Sequence, residues 1–154
     1  MEKTLILIKP DAFQRGIVGS ILSRFEQKGL KILGMKMLKM SPELSKEHYA
    51  HLLDKPFYPG LEKFMTSAPL LALAVEGQEA VEVVRKIVGV TNARNAEAGT
   101  IRGDFSMSTG RNAIHASDSR ETAEKELARF FKPEELFDYP LNNWDFIYAE
   151  DEKE

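Results

Sequence analysis

The chain has 154 residues, of which 43% are hydrophobic and 29% charged, as is typical of a folded globular protein. Its formal net charge of −3 argues against a dedicated nucleic-acid partner, and the absence of cysteine excludes disulfide bonds and thiolate chemistry. No apolar run is as long as a signal sequence or a membrane span, so we expect one cytoplasmic domain over residues 1–154, without a membrane partner.

The first part of the chain predicts two strands and two helices. Residues 3–9 are apolar on both faces of a strand, which predicts a central place in a sheet. Residues 18–28 carry apolar side chains at helical spacing. Residues 30–40 interleave lysines with apolar residues and predict an antiparallel or edge strand. Ser41 and Pro42 then predict a helix start, because serine caps helices and proline suits their first position.

The middle of the chain alternates between loops and regular elements. Residues 54–60 hold two prolines and predict a loop, followed by a short helix. Residues 69–76 predict a third strand, and residues 77–89 a helix with an apolar face. Residues 89–111 show no clean period, and a loop of that length in a compact domain is usually functional or disordered.

The last elements complete an α+β pattern. Residues 112–116 predict a short strand, and Asp118 or Ser119 is expected to cap the helix that follows, with Glu121 placed for a capping box on Asp118. The order of elements, β-α-β-α-β-α-β-α, predicts a split β-α-β sandwich. We expect a mostly antiparallel sheet with its helices on one face.

His115 lies at a strand end that leads into a helix N-terminus, where free N–H groups favour an anion. Glu126 follows on that helix and can turn back to hold one ring nitrogen, which would leave the other as a nucleophile. On the residues alone, a core histidine bonded to a carbonyl remains an equal alternative.

Several other residues could have a functional role but also have simpler structural explanations. Lys9 ends an apolar strand and is harder to explain as a solvated side chain than the arginines are. Gly16 and Gly19 match the GxxG loop of some RNA-binding domains, but a four-residue match is weak. His48 and His51 have the i, i+3 spacing of a metal-binding pair, yet no third ligand follows, so a half-exposed helix face explains them.

Six segments together resemble the nucleoside diphosphate kinase family. They are TLILIKPDAFQRG, EHYAHL, KPFYPGL, GTIRGDF, NAIHASDS and KPEELFDY, and the similarity is collinear from about Lys3 to Tyr148. The resemblance implies a ferredoxin-like α/β sandwich with a four-stranded sheet. It also implies ping-pong transfer of the γ-phosphate of a nucleoside triphosphate, typically ATP, to a nucleoside diphosphate through a phosphohistidine, with broad base and sugar tolerance.

The resemblance also implies roles for individual residues. His115 matches the nucleophile, Glu126 and Ser117 match the residues that orient its ring, and Lys9 places charge near the γ-phosphate. Mg²⁺ is the implied cofactor, held mainly by the nucleotide phosphates and not by a cluster of protein ligands. The implied nucleotide-binding residues are Lys9, Tyr49, Phe57, Leu61, Arg85, Thr91, Arg102, Thr109 and Asn112.

Nucleoside tri- and diphosphates and further copies of the chain are the implied partners. Trp144, Phe146 and Ile147 form an apolar cluster near the C-terminus that is poorly suited to full exposure. We therefore expect a homo-oligomer, with a hexamer favoured and a tetramer as the alternative.

Four residues depart from the family pattern. Thr109 stands where an apolar residue often contacts the base, and Ala116 replaces the glycine that commonly follows the nucleophile. Ala93 and Ala98 stand where the long loop usually has prolines, which puts oligomer stability in doubt more than activity. A binding module that kept this fold without turnover is the rival function, and the complete set of matching residues argues against it.

Overall fold

The computed structural model describes residues 1–141 and 143–153. Within these ranges, four strands form one sheet: β1 (Glu2–Ile8), β2 (Lys31–Leu38), β3 (Leu70–Gly77) and β4 (Ile114–Ala116). The spatial order is β2-β3-β1-β4, and every neighbouring pair is antiparallel. The structure confirms the predicted ferredoxin-like sandwich, including the central place of β1 and the edge position of β2.

The helices cover both faces of the sheet, and the prediction that they lie on one face is wrong. They are α1 (Pro10–Gln14), α2 (Val18–Gln27), α3 (Pro42–His48), α4 (Tyr58–Met65), α5 (Ala80–Val88), α6 (Ile101–Phe105) and α7 (Arg120–Phe130). Ile6 and Ile8 of β1 are buried in a core with α2 and α5, whereas Leu5 and Leu7 are buried in a second core with α4 and α7. A strand that is apolar on both faces requires cover on both.

The helix termini follow local capping chemistry. The Ser41 hydroxyl accepts a hydrogen bond from the Leu44 amide at 3.0 Å, as predicted for the start of α3. Ser119 caps α7 by accepting from the Thr122 amide at 3.1 Å, so the alternative cap at Asp118 is wrong. Gly19 lies inside the first turn of α2, so this segment does not form a GxxG loop.

The long segment between α5 and β4 is folded, although its sequence shows no period. It contains a 3₁₀ turn, Ala93–Asn95, and the short helix α6. Arg24 of α2 donates to the Gly99 carbonyl at 2.8 Å and pairs with Asp104 at 2.6 Å. Asp104 also accepts from the Gly99 amide at 2.8 Å. These contacts tie the segment to α2 at a place where the chain has no proline to stiffen it.

The C-terminal apolar cluster packs partly on its own chain. The Trp144 and Tyr148 rings meet edge to face with centroids 5.7 Å apart, and Ile147 lies against Gly29. Phe146, by contrast, is 90% exposed. Upstream of this cluster, the Phe137 amide donates to the Leu33 carbonyl of β2 at 2.8 Å. Among the described residues, no helix is long and apolar enough to cross a membrane.

Candidate active site

A cleft of about 950 Å³ opens beside the end of β1 and brings the predicted site residues together. Every predicted site residue lines it except Ser117, which lies fully buried directly behind it. We call one part of the cleft the cationic end, formed by Lys9, Arg85, Arg102, Asn112 and His115. We call the other part the aromatic end, formed by Phe57, Leu61 and Thr109.

His115 is held by a carboxylate at the centre of the cationic end. Its Nε2 lies 2.9 Å from Glu126 Oε2, and the Ser117 hydroxyl donates to the same oxygen at 2.6 Å. The short strand β4 presents His115, and the first turns of α7 bring Glu126 back to it. The ring is only partly exposed, and the carboxylate is buried. His115 is therefore fixed by a carboxylate, and a bond to a carbonyl is not what holds it.

The protonation state of Glu126 follows from these contacts. Burial alone would raise its pKa, but the hydrogen bond and charge of His115 and the hydrogen bond from Ser117 lower the pKa overall. An ionised Glu126 accepts hydrogen bonds only, so the His115 proton belongs on Nε2. Nδ1 then keeps its lone pair, which is the requirement for a nucleophilic imidazole.

Lys9 is anchored next to this histidine by a chain of side-chain contacts. Its ammonium donates to Asn112 Oδ1 at 2.8 Å, and Asn112 Nδ2 donates to the Thr91 carbonyl at 3.0 Å. Burial, with a smaller effect of Arg102, lowers the pKa of Lys9 to about 8, against an opposing effect of Asp11. The site thus holds a desolvated cation that gains from an incoming anion.

The two arginines of the cationic end differ in their attachment. Arg102 is buried, and its guanidinium donates to the carbonyls of Gly89 at 2.9 Å and Ile114 at 2.7 Å. Burial, followed by the charge of Arg85, lowers its pKa to about 10. Arg85 is exposed on α5. Arg102 is therefore fixed by hydrogen bonds to backbone carbonyls, while the exposed side chain of Arg85 can move toward a ligand.

Gly103, which follows Arg102, is in close contact with the backbone of the preceding loop. A side chain at Gly103 would collide with the Glu97 carbonyl, so this glycine permits close packing of the loop on α6.

Tyr49 and the aromatic end offer different groups. The Tyr49 hydroxyl is buried in the cleft wall without a partner among the described residues, and burial raises its pKa. Phe57 is 58% exposed just before α4, and Leu61 follows on that helix. Thr109 is exposed on the opposite wall. An exposed ring in a cleft is suited to stacking against a flat ligand.

His48 belongs to the site, and its sequence interpretation was wrong. It ends α3 and is buried, whereas His51 lies exposed in the 3₁₀ turn beyond it. The ring meets His115 edge to face with centroids 4.7 Å apart, and Arg129 donates to its Nδ1 at 3.2 Å. Burial, together with the charge of His115, lowers the pKa of His48 to about 3, so the ring is neutral. The alternation of polar and apolar residues in EHYAHL gave no signal for this contact.

The donor atoms of His48, His115 and Glu126 lie within 4.8 Å of one another, close enough for a metal site by distance alone. His48 Nδ1 accepts from the Arg129 guanidinium, and Glu126 Oε2 accepts from both His115 and Ser117, whereas His48 Nε2 is buried without a partner among the described residues. Asp118 supplies an exposed carboxylate in the cleft wall. This donor set fits a metal that arrives with a ligand better than one resident in the protein.

An oriented imidazole beside several cations in one cleft, on an antiparallel α/β sandwich, is an arrangement suited to a phosphotransferase. The model of the family "Nucleoside diphosphate kinase" matches residues 2–136. The chain belongs to the nucleoside diphosphate kinase family, and nucleoside diphosphate kinase activity is its function.

Relatives support this assignment over nearly the whole chain. A nucleoside diphosphate kinase of Parabacteroides distasonis is 53% identical over 152 residues, which cover 99% of each chain. Nucleoside diphosphate kinase B of Canis lupus familiaris is 53% identical over 147 residues, 96% of this chain and 97% of that one. The structure of a halophilic nucleoside diphosphate kinase from Halobacterium salinarum in complex with CDP is similar with a TM-score of 0.94 and 43% identity, covering 96% of this chain and 99% of that one.

Proposed function

We propose that His115 carries the phosphoryl group in a ping-pong reaction. The Nδ1 lone pair forms the P–N bond while the bond between the γ-phosphorus and its bridging oxygen breaks, and the nucleoside diphosphate leaves with that electron pair. A second nucleoside diphosphate then attacks the phosphohistidine and regenerates the neutral ring. The observation that carries this proposal is the 2.9 Å contact between His115 Nε2 and Glu126 Oε2. It fixes the tautomer and stabilises the positive charge that the ring acquires on phosphorylation.

Ser117 and the neighbouring strand support that arrangement. Ser117 donates to Glu126 Oε2 and holds the carboxylate in place from the side opposite the cleft. His48 packs against the ring of the nucleophile and, being neutral, does not compete with it for the Glu126 charge. We propose that Ser117 orients the Glu126 carboxylate and does not touch the nucleotide.

The phosphates bind at the cationic end in this proposal. Lys9, Arg85 and Arg102 neutralise the triphosphate, and the Tyr49 hydroxyl and Thr91 donate hydrogen bonds to it. Asn112 and Lys9 are the groups for the ribose hydroxyls. Asp118, an exposed carboxylate in the cleft wall, would help to hold Mg²⁺ together with the nucleotide phosphates, and the bound ion would supply charge neutralisation.

The base binds at the aromatic end and is recognised mainly by its shape. Phe57 provides the stacking surface, and Leu61 and Thr109 line the remaining walls. The halophilic relative was solved with CDP, a pyrimidine nucleotide. Because every base has a flat π face, a site that relies on stacking accepts purines and pyrimidines alike, and no part of this arrangement selects one sugar strictly.

The decisive experiment needs no second substrate. The protein is mixed with Mg²⁺ and γ-labelled ATP, quenched in base, and analysed for label on His115. We expect an adduct that is stable in base and labile in acid, and that is removed by GDP, CDP or UDP. Nucleotide binding without any adduct would favour the rival function, a binding module, with Ala116 and Thr109 as the first positions to revert.

We also propose that the chain acts as a cytoplasmic, single-domain homo-oligomer, with a hexamer favoured over a tetramer. The sheet ends at β2, where Met35 and Met37 are 55% and 59% exposed. Phe146 of the C-terminal apolar cluster is exposed as well. Apolar residues on a sheet edge are suited to pairing with another copy. Light scattering at micromolar protein tests the assembly, and a monomer would contradict it. Cell fractionation tests the location.

A further inference from the structure

The segment that leads to His115 contains a strained turn. Ala113 has φ +66°, although it is neither glycine nor asparagine, and it is fully buried. The Ile114 amide donates to the Asn112 carbonyl at 2.8 Å, which closes a three-residue γ-turn around Ala113. A γ-turn with positive φ is rare and strained, and such strain persists only where neighbouring groups hold it.

A buried carboxylate from a distant part of the chain holds this turn. Asp11 Oδ2 accepts the Ala113 amide proton at 3.0 Å, and the side chain of Asp11 lies in the first turn of α1. The Ala113 carbonyl accepts from the Lys9 amide at 2.8 Å. Both backbone polar groups of the strained residue are thus bound by the segment of residues 9–11.

The residues on either side of the turn belong to the proposed mechanism. Asn112, which precedes Ala113, binds the Lys9 ammonium, and His115 follows two residues after it. A change in the dihedral angles of Ala113 would change the position of Asn112 relative to His115. Asp11 itself is buried and does not line the cleft. Its second oxygen, Oδ1, is buried without a partner among the described residues.

We propose that Asp11 is a positioning residue for phosphotransfer, and that its bond to the Ala113 amide keeps the strained turn in the geometry that sets Asn112 and His115 against the same bound nucleotide. The proposal rests on the assignment of His115 as the nucleophile. Asp11 acts through the backbone and makes no contact with the nucleotide. A misplacement of reacting groups by about 1 Å costs on the order of a hundredfold in rate, so the tether has a measurable effect.

Four variants separate this role from a general effect on folding. Asp11→Ala removes the acceptor, and Asp11→Asn keeps an oxygen that can accept the same proton but removes the charge. Ala113→Gly removes the penalty for positive φ, and the double variant Asp11→Ala, Ala113→Gly closes the cycle. Glu2→Ala is the matched control, because the Glu2 carboxylate accepts the Val81 amide proton at 2.9 Å in a part-buried bond outside the cleft.

The measurements are the single-turnover rate of His115 labelling by γ-labelled ATP with Mg²⁺ and the Kd for ADP. We expect Asp11→Ala to slow labelling by about a hundredfold with a much smaller change in Kd. Asp11→Asn and Glu2→Ala should keep most of the rate. Replacing Ala113 by glycine in the Asp11→Ala background should restore about tenfold, since glycine adopts positive φ without the tether.

Each result decides the matter. An unchanged labelling rate in Asp11→Ala overturns the proposal. The proposal is also overturned if Asp11→Asn slows labelling as much as Asp11→Ala does and Ala113→Gly does not restore the rate, because the charge of Asp11 would then be the important property. If Asp11→Ala does not fold, the labelling rates of the double variant and of Asp11→Asn are compared with the rate of Ala113→Gly, and this comparison tests the proposal in the same way. Absence of any label in the parent protein would instead overturn the assignment of His115, and this proposal with it.

Discussion

The cationic end and the aromatic end of the cleft are built in different ways. At the cationic end, Lys9 and Arg102 are buried, and each is held by at least one hydrogen bond, whereas Arg85 is exposed. At the aromatic end, Phe57 and Thr109 are exposed, and Phe57 keeps more than half of its surface in solvent. The two ends therefore lie in one cleft but differ in how firmly their side chains are held.

This difference separates chemistry from recognition. Charges that are fixed in place before the substrate arrives need no reorganisation during phosphoryl transfer, so the cationic end favours rate. An open stacking surface with few directional bonds tolerates bases of different shape, so the aromatic end favours breadth. Changes at His115 and the residues that orient it should therefore alter kcat, and changes at the aromatic end should alter KM or Kd. Loss of a phosphate-binding charge such as that of Lys9 should also weaken binding.

The largest effect is expected at the nucleophile. His115→Ala should abolish phosphotransfer, because no other group in the cleft is oriented to take up the phosphoryl group, while ADP still binds through Lys9, the arginines and Phe57. Steady-state turnover and isothermal titration with ADP measure the two properties separately. Turnover like that of the parent protein would show that the nucleophile is another residue.

Glu126→Gln comes next. The amide keeps the size of the side chain but removes the charge that stabilises the phosphorylated ring, so we expect kcat to fall by about a hundredfold with little change in Kd. Glu124→Gln is the matched control, since Glu124 is exposed on the same helix and pairs only with Arg120 at 3.8 Å. Equal activity in the two variants would remove Glu126 from the mechanism.

Phe57→Ala tests the opposite end. Loss of a stacking partner worth about 1–3 kcal/mol should raise Kd by roughly tenfold for ADP, GDP and CDP alike, with kcat nearly unchanged. Phe137→Ala, at an aromatic residue 64% exposed outside the cleft, serves as the control. A selective loss for one base would mean that the aromatic end reads identity and does not merely stack.

The smallest effect concerns pH and Lys9. Because the pKa of Lys9 is lowered to about 8, raising the pH through this value removes its charge and should weaken ADP binding by a few-fold. Stability responds with the opposite sign: between about 8 and the ordinary value of 10.5, the unfolded chain binds a proton that the folded chain lacks, so this group raises the free energy of unfolding as pH rises.

Titration of ADP binding across this range, in the parent protein and in Lys9→Met, measures the contribution of the lysine. The variant should bind more weakly at neutral pH and show a flatter profile above it. Identical profiles in the two proteins would assign the alkaline loss to another group.

The sequence predicted the elements whose apolar periods are long. The strand β1 was recognised because both of its faces are apolar, and the helix α2 because apolar residues recur at helical spacing from Val18 to Phe25. The helices α1 and α6 were missed because five residues are too few to show a period. The sequence could have predicted that helices cover both faces of the sheet, because the alternate residues of β1 are equally apolar and neither set can face water.

The sequence predicted some contacts of the site and not others, and the difference has a physical reason. The contact between His115 and Glu126 follows from a strand and a helix adjacent in sequence, where local geometry is constrained. The family resemblance supplied the remaining cleft residues. Neither His48 nor Asp11 could be recognised, because each reaches the nucleophile across more than sixty residues of chain and acts by packing or through a backbone amide. Sequence spacing carries no record of such contacts.

The attachment of Ser117 has a consequence for heat inactivation. Its hydroxyl and amide both reach the carbonyl of Leu5, in the central strand β1, and the next residues toward the N-terminus pair with that strand through β4. His115 therefore cannot detach without separating the short edge strand β4 from the central strand β1. On warming, activity should be lost when β4 separates from β1, so enzymatic activity reports whether this edge of the sheet is intact.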